Sequence, residues 1–300
     1  MRPAIGWIGT GIMGRSMAMH LLKGGYALNV FNRTQSKAAD LVQNGAVWHS
    51  SPHEVAGHSD ILFLMLGYPR EVRETVNAIL ENGGRKPPAL ASLALPGVLV
   101  DMTTSSPGLA VEIEALCRTQ NITALDAPVS GGDVGAKNAT LSIMIGGDEK
   151  TANDLMPIWN LLGKTIVYHG PAGSGQHAKM VNQTLIAGNM LGLCEALLYA
   201  HHAGLNMEKV LQSVSTGAAG SWSLSNLAPR ILKQDFAPGF MIEHFLKDLR
   251  IVLEEAKRMN LTLRGVALAE ELYAAAAEQG YAEDGTQGLY RLLNNGSPMM

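Results

Sequence analysis

The sequence predicts a two-part α/β chain, with a first half built on a largely parallel sheet and a second half made only of helices. Three observations carry that prediction. Up to about residue 170, short apolar runs alternate with helix-length amphipathic segments, the pattern of successive strand-helix units. From about Gly175 the strand-like runs stop and helical periodicity takes over. The length of 300 residues is about twice that of a typical domain of about 150 residues. The expected division is 1–170 and 171–300, with a long helix at about 175–203 between the two parts.

The expected strands are 4–8, 27–31, 61–66, 98–102, 123–127, 141–146 and 165–169, each a short, largely apolar run. The expected helices of the second half are 176–203, 206–216, 221–233, 242–260, 264–280 and 284–294. Between the third and fourth strands, 81–97 is rich in Gly, Pro and Ala and reads as a long surface loop. No internal repeat is present.

Composition narrows the function classes. Hydrophobic residues make up 47%, charged residues 16%, and the formal net charge is −3, without a polybasic or polyacidic tract. A nucleic-acid partner is not expected. Cys117 and Cys194 form no ligand spacing, so no metal is expected, and two buried reduced thiols suit a cytoplasmic location. Glycines at 6, 9, 11 and 14 break any leader-like apolar core at the start. The apolar stretch 184–200 contains Asn189 and Glu195, and it falls short of the roughly 20 apolar residues of a membrane span. A buried helix is the expectation there.

The opening stretch Gly9-x-Gly11-x-x-Gly14 lies between a predicted strand and a predicted helix. In that setting the pattern binds a dinucleotide in a Rossmann-like domain. Gly9 permits the tight turn, Gly11 with Ile12 and Met13 brings bare backbone to the pyrophosphate, and Gly14 allows close helix-strand packing at the helix N-terminus. The second strand ends in Asn32-Arg33-Thr34. An acid there would bond a free ribose 2′-hydroxyl and repel a 2′-phosphate, whereas Arg33 offers a planar cation to phosphate. NADP(H) is therefore expected in preference to NAD(H), with Thr34 as a hydroxyl donor and Lys37 as a further charge. The competing reading leaves Arg33 and Lys37 as solvated surface charges.

Beyond the glycine loop stand Asp126-Ala127-Pro128-Val129-Ser130-Gly131-Gly132, then Gly173-Ser174-Gly175 followed by Lys179, then Phe240, and Lys247-Asp248. In this order the motifs resemble the β-hydroxyacid dehydrogenase family, which includes 3-hydroxyisobutyrate dehydrogenase, tartronate semialdehyde reductase and glyoxylate/succinic semialdehyde reductases. The resemblance spans essentially the whole chain. It implies a Rossmann-like domain joined by a long helix to an all-α C-terminal domain, and homodimers or homotetramers built through the helical half.

Bare backbone at Ser130-Gly131-Gly132 can form an anion-binding nest, and the resemblance implies that this segment holds a substrate carboxylate. Residues Gly175, Lys179 and Gln183 are spaced i, i+4, i+8, with Asn182 three after the lysine, so a helix sets them on one face. The resemblance implies that Lys179 gives a proton to the carbonyl oxygen on reduction and takes it back on oxidation. That role needs an amine that releases its proton readily, which burial promotes. Gln183 is expected to orient the substrate, with Asn182 as the second choice.

By spacing alone Lys247 and Asp248 are a surface pair; the resemblance implies that they reach the nicotinamide end of the cleft. It also implies cofactor contacts from Leu66, Gly67 and Thr104, with Thr103 beside them, and from Gly175. Where relatives usually carry proline this chain has Gly67, and where they carry glycine before Thr-Leu it has Ala139. Trp222, followed by Ser223, is either a pocket-lining side chain or a core tryptophan. The nine histidines form no triad or ligand set. The expected activity is hydride transfer between NADP(H) and a small hydroxy acid or semialdehyde. The alternatives are an NADP-binding sensor without turnover and an imine reductase on the same fold.

Overall fold

Strand formation in the first half follows from apolar runs too short for helices. The computed structural model describes residues 2–81 and 96–295; the loop expected over 81–97 lies almost entirely outside them. The strands are β1 (Ile5–Ile8), β2 (Leu28–Phe31), β3 (Val47–Trp48), β4 (Ile61–Leu64), β5 (Val98–Asp101), β6 (Thr123–Asp126), β7 (Val129–Ser130), β8 (Leu141–Gly147) and β9 (Gly163–Gly170). They form one sheet in the order β3-β2-β1-β4-β5-β6-β8-β7, with β9 on β8.

Pairing is parallel from β3 through β6, with Ile5 opposite both Leu28 and Ile61, then antiparallel from β6 to β8. The strand order reverses at β1, which places a ligand crevice at the carboxyl ends of β1 and its neighbours. Every residue of β1 and β4 is buried, because helices cover both faces of the sheet. Side chains alternate between two cores: Trp7, Phe63 and Val100 join Met17 and Trp159 on one face, while Ile8, Leu62 and Leu99 join Val72 on the other. Strands β3 and β7 were not expected. At two residues each, they carry no alternation to detect.

The chain divides into two units, Met1–Lys179 and Met180–Met300. The division falls inside the helix Ser174–His202 rather than at residue 170, because the first turns of that helix bond to the strand ends of the first unit. The second unit is helical, and its core gathers Ile242, Phe245, Leu249, Tyr273 and Leu289. Phe245 and Tyr273 meet edge to face at 5.0 Å, and the Tyr273 hydroxyl donates to Thr286 O at 2.8 Å. The helix expected over 221–233 is two, Trp222–Asn226 and Ala228–Leu232. The break is at Leu227, and Pro229 stands in the first turn of the second helix, where its missing N–H costs nothing. No described helix is long and apolar enough to cross a membrane.

Candidate functional site

The glycine loop needs its glycines for three different reasons. Gly9 has φ +97°, and a Cβ there would lie 2.2 Å from Met65 O. At Gly14 a Cβ would lie 2.0 Å from Gly9 O, so helix and strand approach only without a side chain. A Cβ at Gly11 meets nothing within 4 Å: it would project into open space. That space is a cleft of about 420 Å³ lined by Gly11, Thr10, Arg15, Lys37 and Lys137, with Asp133 as its one acid. Helix Ile12–Lys23 starts there with no acidic residue in its first turn. Ile12 is exposed, Met13 is half-buried against the core, and the buried Thr10 Oγ1 has no hydrogen-bond partner among the described residues. A cradle that a Cβ would fill, a helix N-terminus and three cations fit the diphosphate of a dinucleotide.

The segments after β2 and β4 leave the sheet on either side of β1 and its glycine loop. Asn32, expected at the ribose, spends its amide on the protein: Oδ1 accepts the Thr10 N–H at 2.9 Å and Nδ2 donates to Thr34 O at 3.0 Å. It ties the glycine loop to the second strand's exit. Thr34 precedes the short turn Gln35–Ala38, which carries Lys37 to the cleft. The Arg33 side chain is 89% exposed, with Nη1 3.5 Å from Glu71 Oε1. The other oxygen of Glu71 accepts the Gly67 N–H at 3.0 Å.

Deeper in the first unit, backbone and side chains interlock around the start of helix Ser174–His202. Leu66 N–H donates to Thr103 Oγ1 at 2.9 Å, and Gln176, fully buried, donates through Nε2 to Thr103 O at 2.7 Å and accepts Ser105 N–H at 2.9 Å. Thr104, half-buried, sits between these two anchored residues. Asp126 caps the helix, its two oxygens accepting the N–H groups of Gly173 and Gln176 at 2.8 Å each. Burial raises the Asp126 carboxyl above its ordinary value, against the pull of those N–H donors.

At Gly175, expected at the cofactor, the helix start packs directly on strand backbone. Any Cβ there would lie 2.4 Å from Met144 O and 2.7 Å from Asp126 O. One turn on, Lys179 is 6% exposed and donates from Nζ to Val129 O at 2.8 Å. Val129 leads into Ser130, Gly131 and Gly132, where both glycines have positive φ, +133° and +63°. The amine therefore lies beside a turn free of bulky side chains.

In the second unit, Asn182 Nδ2 donates to Gln183 Oε1 at 2.7 Å, and Gln183 Nε2 donates to Asp248 Oδ2 at 2.6 Å. The Asp248 Oδ1 is 3.0 Å from Lys247 Nζ. Gln183 and Asp248 are buried and Lys247 nearly so, so this is not a surface pair. Gln183, expected to orient the substrate, is 0% exposed with both ends of its amide used, while Asn182, the second choice, is half-buried. Trp222 is 62% exposed and not a core residue, whereas Ser223 is buried.

Gln176 and Glu71 escaped the sequence reading. Gln176 lies three residues before Lys179 on the same helix, which was the available signal; Glu71 had none beyond its place in a helix's first turn. The described residues hold no cluster of His, Cys, Asp and Glu fit for a metal.

Residues 4–170 match the model of the NAD binding domain of 6-phosphogluconate dehydrogenase. Residues 173–293 match that of the NAD-binding domain of NADP-dependent 3-hydroxyisobutyrate dehydrogenase. A probable mitochondrial 3-hydroxyisobutyrate dehydrogenase-like protein of Arabidopsis thaliana is 52% identical over 289 residues, covering 96% of this chain and 84% of that protein. The 2-hydroxy-3-oxopropionate reductase of Escherichia coli is 39% identical over 281 residues, 92% of each chain. Among solved structures, Mycobacterium tuberculosis 3-hydroxyisobutyrate dehydrogenase with L-serine superposes with a TM-score of 0.86 at 27% identity, over 98% of this chain and 99% of that one.

Proposed function

The chain belongs to the β-hydroxyacid dehydrogenase family, and on that premise we propose reversible hydride transfer between NADP(H) and a small 3-hydroxy acid or semialdehyde, or a glyoxylate-like 2-hydroxy acid pair. It is an NAD(P)-dependent hydroxyacid dehydrogenase, as the matched models and relatives establish. The nicotinamide, when bound, supplies or accepts the hydride at the substrate carbon.

Lys179 does the proton work. On reduction its ammonium gives a proton to the substrate oxygen as the carbonyl becomes an alcohol; on oxidation the neutral amine takes that proton back. The observation that carries this reading is the Lys179 amine, buried at 6% exposure and held 2.8 Å from Val129 O at the entry to the Ser130-Gly131-Gly132 turn. That turn receives the substrate carboxylate, so charge recognition and proton transfer are neighbours on one unit. Asn182, spaced three from Lys179 on the helix and with its amide half-buried, orients the substrate; Gln183 and Asp248 steady Asn182 and Lys247. Gly9, Gly11, Gly14, Arg33, Thr34 and Lys37 hold the cofactor, Gly11 and Lys37 from the cleft lining and Arg33, as an exposed planar cation after β2, on the 2′-phosphate. The 62% exposure of Trp222 leaves its ring available to a substrate, the role the family resemblance implies.

Homo-oligomers through the helical half are supported by an apolar stripe on helix Ser174–His202, where Val181, Leu185 and Tyr199 are 62%, 64% and 76% exposed. A cytoplasmic location is supported by Cys117 and Cys194, both buried and unpaired, with thiols pushed up to about 12 by that burial.

The test is NADPH oxidation against glyoxylate, succinic semialdehyde, tartronate semialdehyde and methylmalonate semialdehyde. Turnover of one that vanishes in Lys179→Ala, with NADPH affinity retained, supports the assignment. Near-normal turnover in that variant removes Lys179 from the mechanism.

A further inference from the structure

Two opposite charges meet beyond the carboxyl ends of the strands that flank β1. Arg33 follows β2, Glu71 stands in the first turn of helix Pro69–Glu81 after β4, and β1 with its glycine loop runs between those strands. Glu71 is not a loose surface acid. Its Oε2 accepts the Gly67 N–H at 3.0 Å, which fixes the carboxylate and leaves Oε1 3.5 Å from the Arg33 guanidinium. A proline at 67 would have no N–H to give.

A phosphate monoester carries about −1.5 to −2 charges near neutral pH. To reach Arg33 it must replace Glu71 as the partner and accept a fixed negative charge close by. A ribose with a free 2′-hydroxyl meets neither demand, and a carboxylate here can accept its hydrogen bond. The acid missing from the end of β2 is thus supplied from the segment after β4.

We propose that Glu71 is a specificity-determining residue that restrains the preference for NADP(H) over NAD(H), by holding Arg33 and opposing the 2′-phosphate. The inference rests on the assignment of Arg33 to that phosphate, and the experiment separates the two. Dissociation constants of NADPH and NADH are measured by fluorescence titration for the wild type, Glu71→Gln, Arg33→Ala and the double variant. Glutamine keeps an acceptor for Gly67 N–H and removes only the charge.

The expected result is a NADPH-over-NADH affinity ratio raised about threefold or more in Glu71→Gln, the size of an exposed charge pair. In the Arg33→Ala background the same change should shift the ratio less. If Arg33→Ala weakens NADPH selectively while Glu71→Gln leaves the ratio unchanged, the role of Glu71 is overturned and the phosphate assignment stands. If Arg33→Ala weakens both cofactors equally, the phosphate assignment fails and takes the role of Glu71 with it.

Discussion

Asp126 accepts the backbone N–H of Gln176 at 2.8 Å, so the last residue of β6 caps the helix that carries Lys179. The two residues are 50 positions apart. A helix start is usually capped by its own preceding residue; here Gly173 leaves that place bare and a strand end supplies the carboxylate.

Replacing Asp126 by Asn leaves one acceptor for two N–H groups, and the expected loss is about 1–3 kcal/mol of stability. The loss should depend on pH. Burial raises the folded carboxyl above its ordinary 3.8, so between those two values the folded state binds the proton more tightly than the unfolded state. The group's contribution is present in full below 3.8 and declines as pH rises through the raised value. Urea unfolding of both proteins at about pH 4 and about pH 7 should show the larger difference in acid; a difference growing toward neutrality would contradict the raised carboxyl.

Gln176→Leu should strand Ser105 N–H and Thr103 O in a buried setting, at about 1–3 kcal/mol for each group. Gln176→Glu keeps the acceptor and loses the donor, so its unfolding midpoint should fall between Leu and wild type. Because Thr103 also accepts from Leu66 N–H, kcat should drop with the loop's order while substrate KM changes little. Equal stability of all three proteins would show that the tie is not needed.

Gly11→Ala and Gly14→Ala should fail differently. The methyl at 11 enters the open cleft and should leave thermal stability near wild type while weakening cofactor binding by about tenfold, about 1.4 kcal/mol. The methyl at 14 collides with Gly9 O and should cost about 1–3 kcal/mol of folding stability. Calorimetric unfolding alongside cofactor titration separates them, and matching effects at both positions would refute the division of roles.

Asn182 and Gln183 should also part company. Gln183→Leu removes a hydrogen bond to the buried Asp248 carboxylate and should cost about 1.5–3 kcal/mol. Asn182→Ala should leave the unfolding midpoint nearly unchanged and raise substrate KM. A KM effect confined to Gln183 would restore the opposite order.

How much was legible in the chain depended on how far apart the causes lie. The parallel sheet and the helical half were readable because each rests on a local period: β1 and β4 are unbroken apolar runs, and helix Ile242–Arg258 repeats its apolar residues every three to four positions. The Gly9-Gly11-Gly14 turn was readable because its spacing lies within six residues, even though the backbone that Gly9 must clear, Met65 O, is 56 positions away. Strands β3 and β7 and the break at Leu227 lay below the length at which a period registers.

Sequence by itself thus determined the fold class, the glycine loop and the kinds of residue available for chemistry, because backbone conformation and apolar patterning are set by near neighbours. Only tertiary structure decided what each side chain does. The Gln176 amide finds its partners 71 and 73 positions away, and the Gln183 amide finds Asp248 65 positions away. Asn32 turns inward to Thr10, and Glu71 meets Arg33 across β1. A buried amide or carboxylate must find its hydrogen-bond partner wherever the packed chain presents one, and that address is written in no single stretch of sequence.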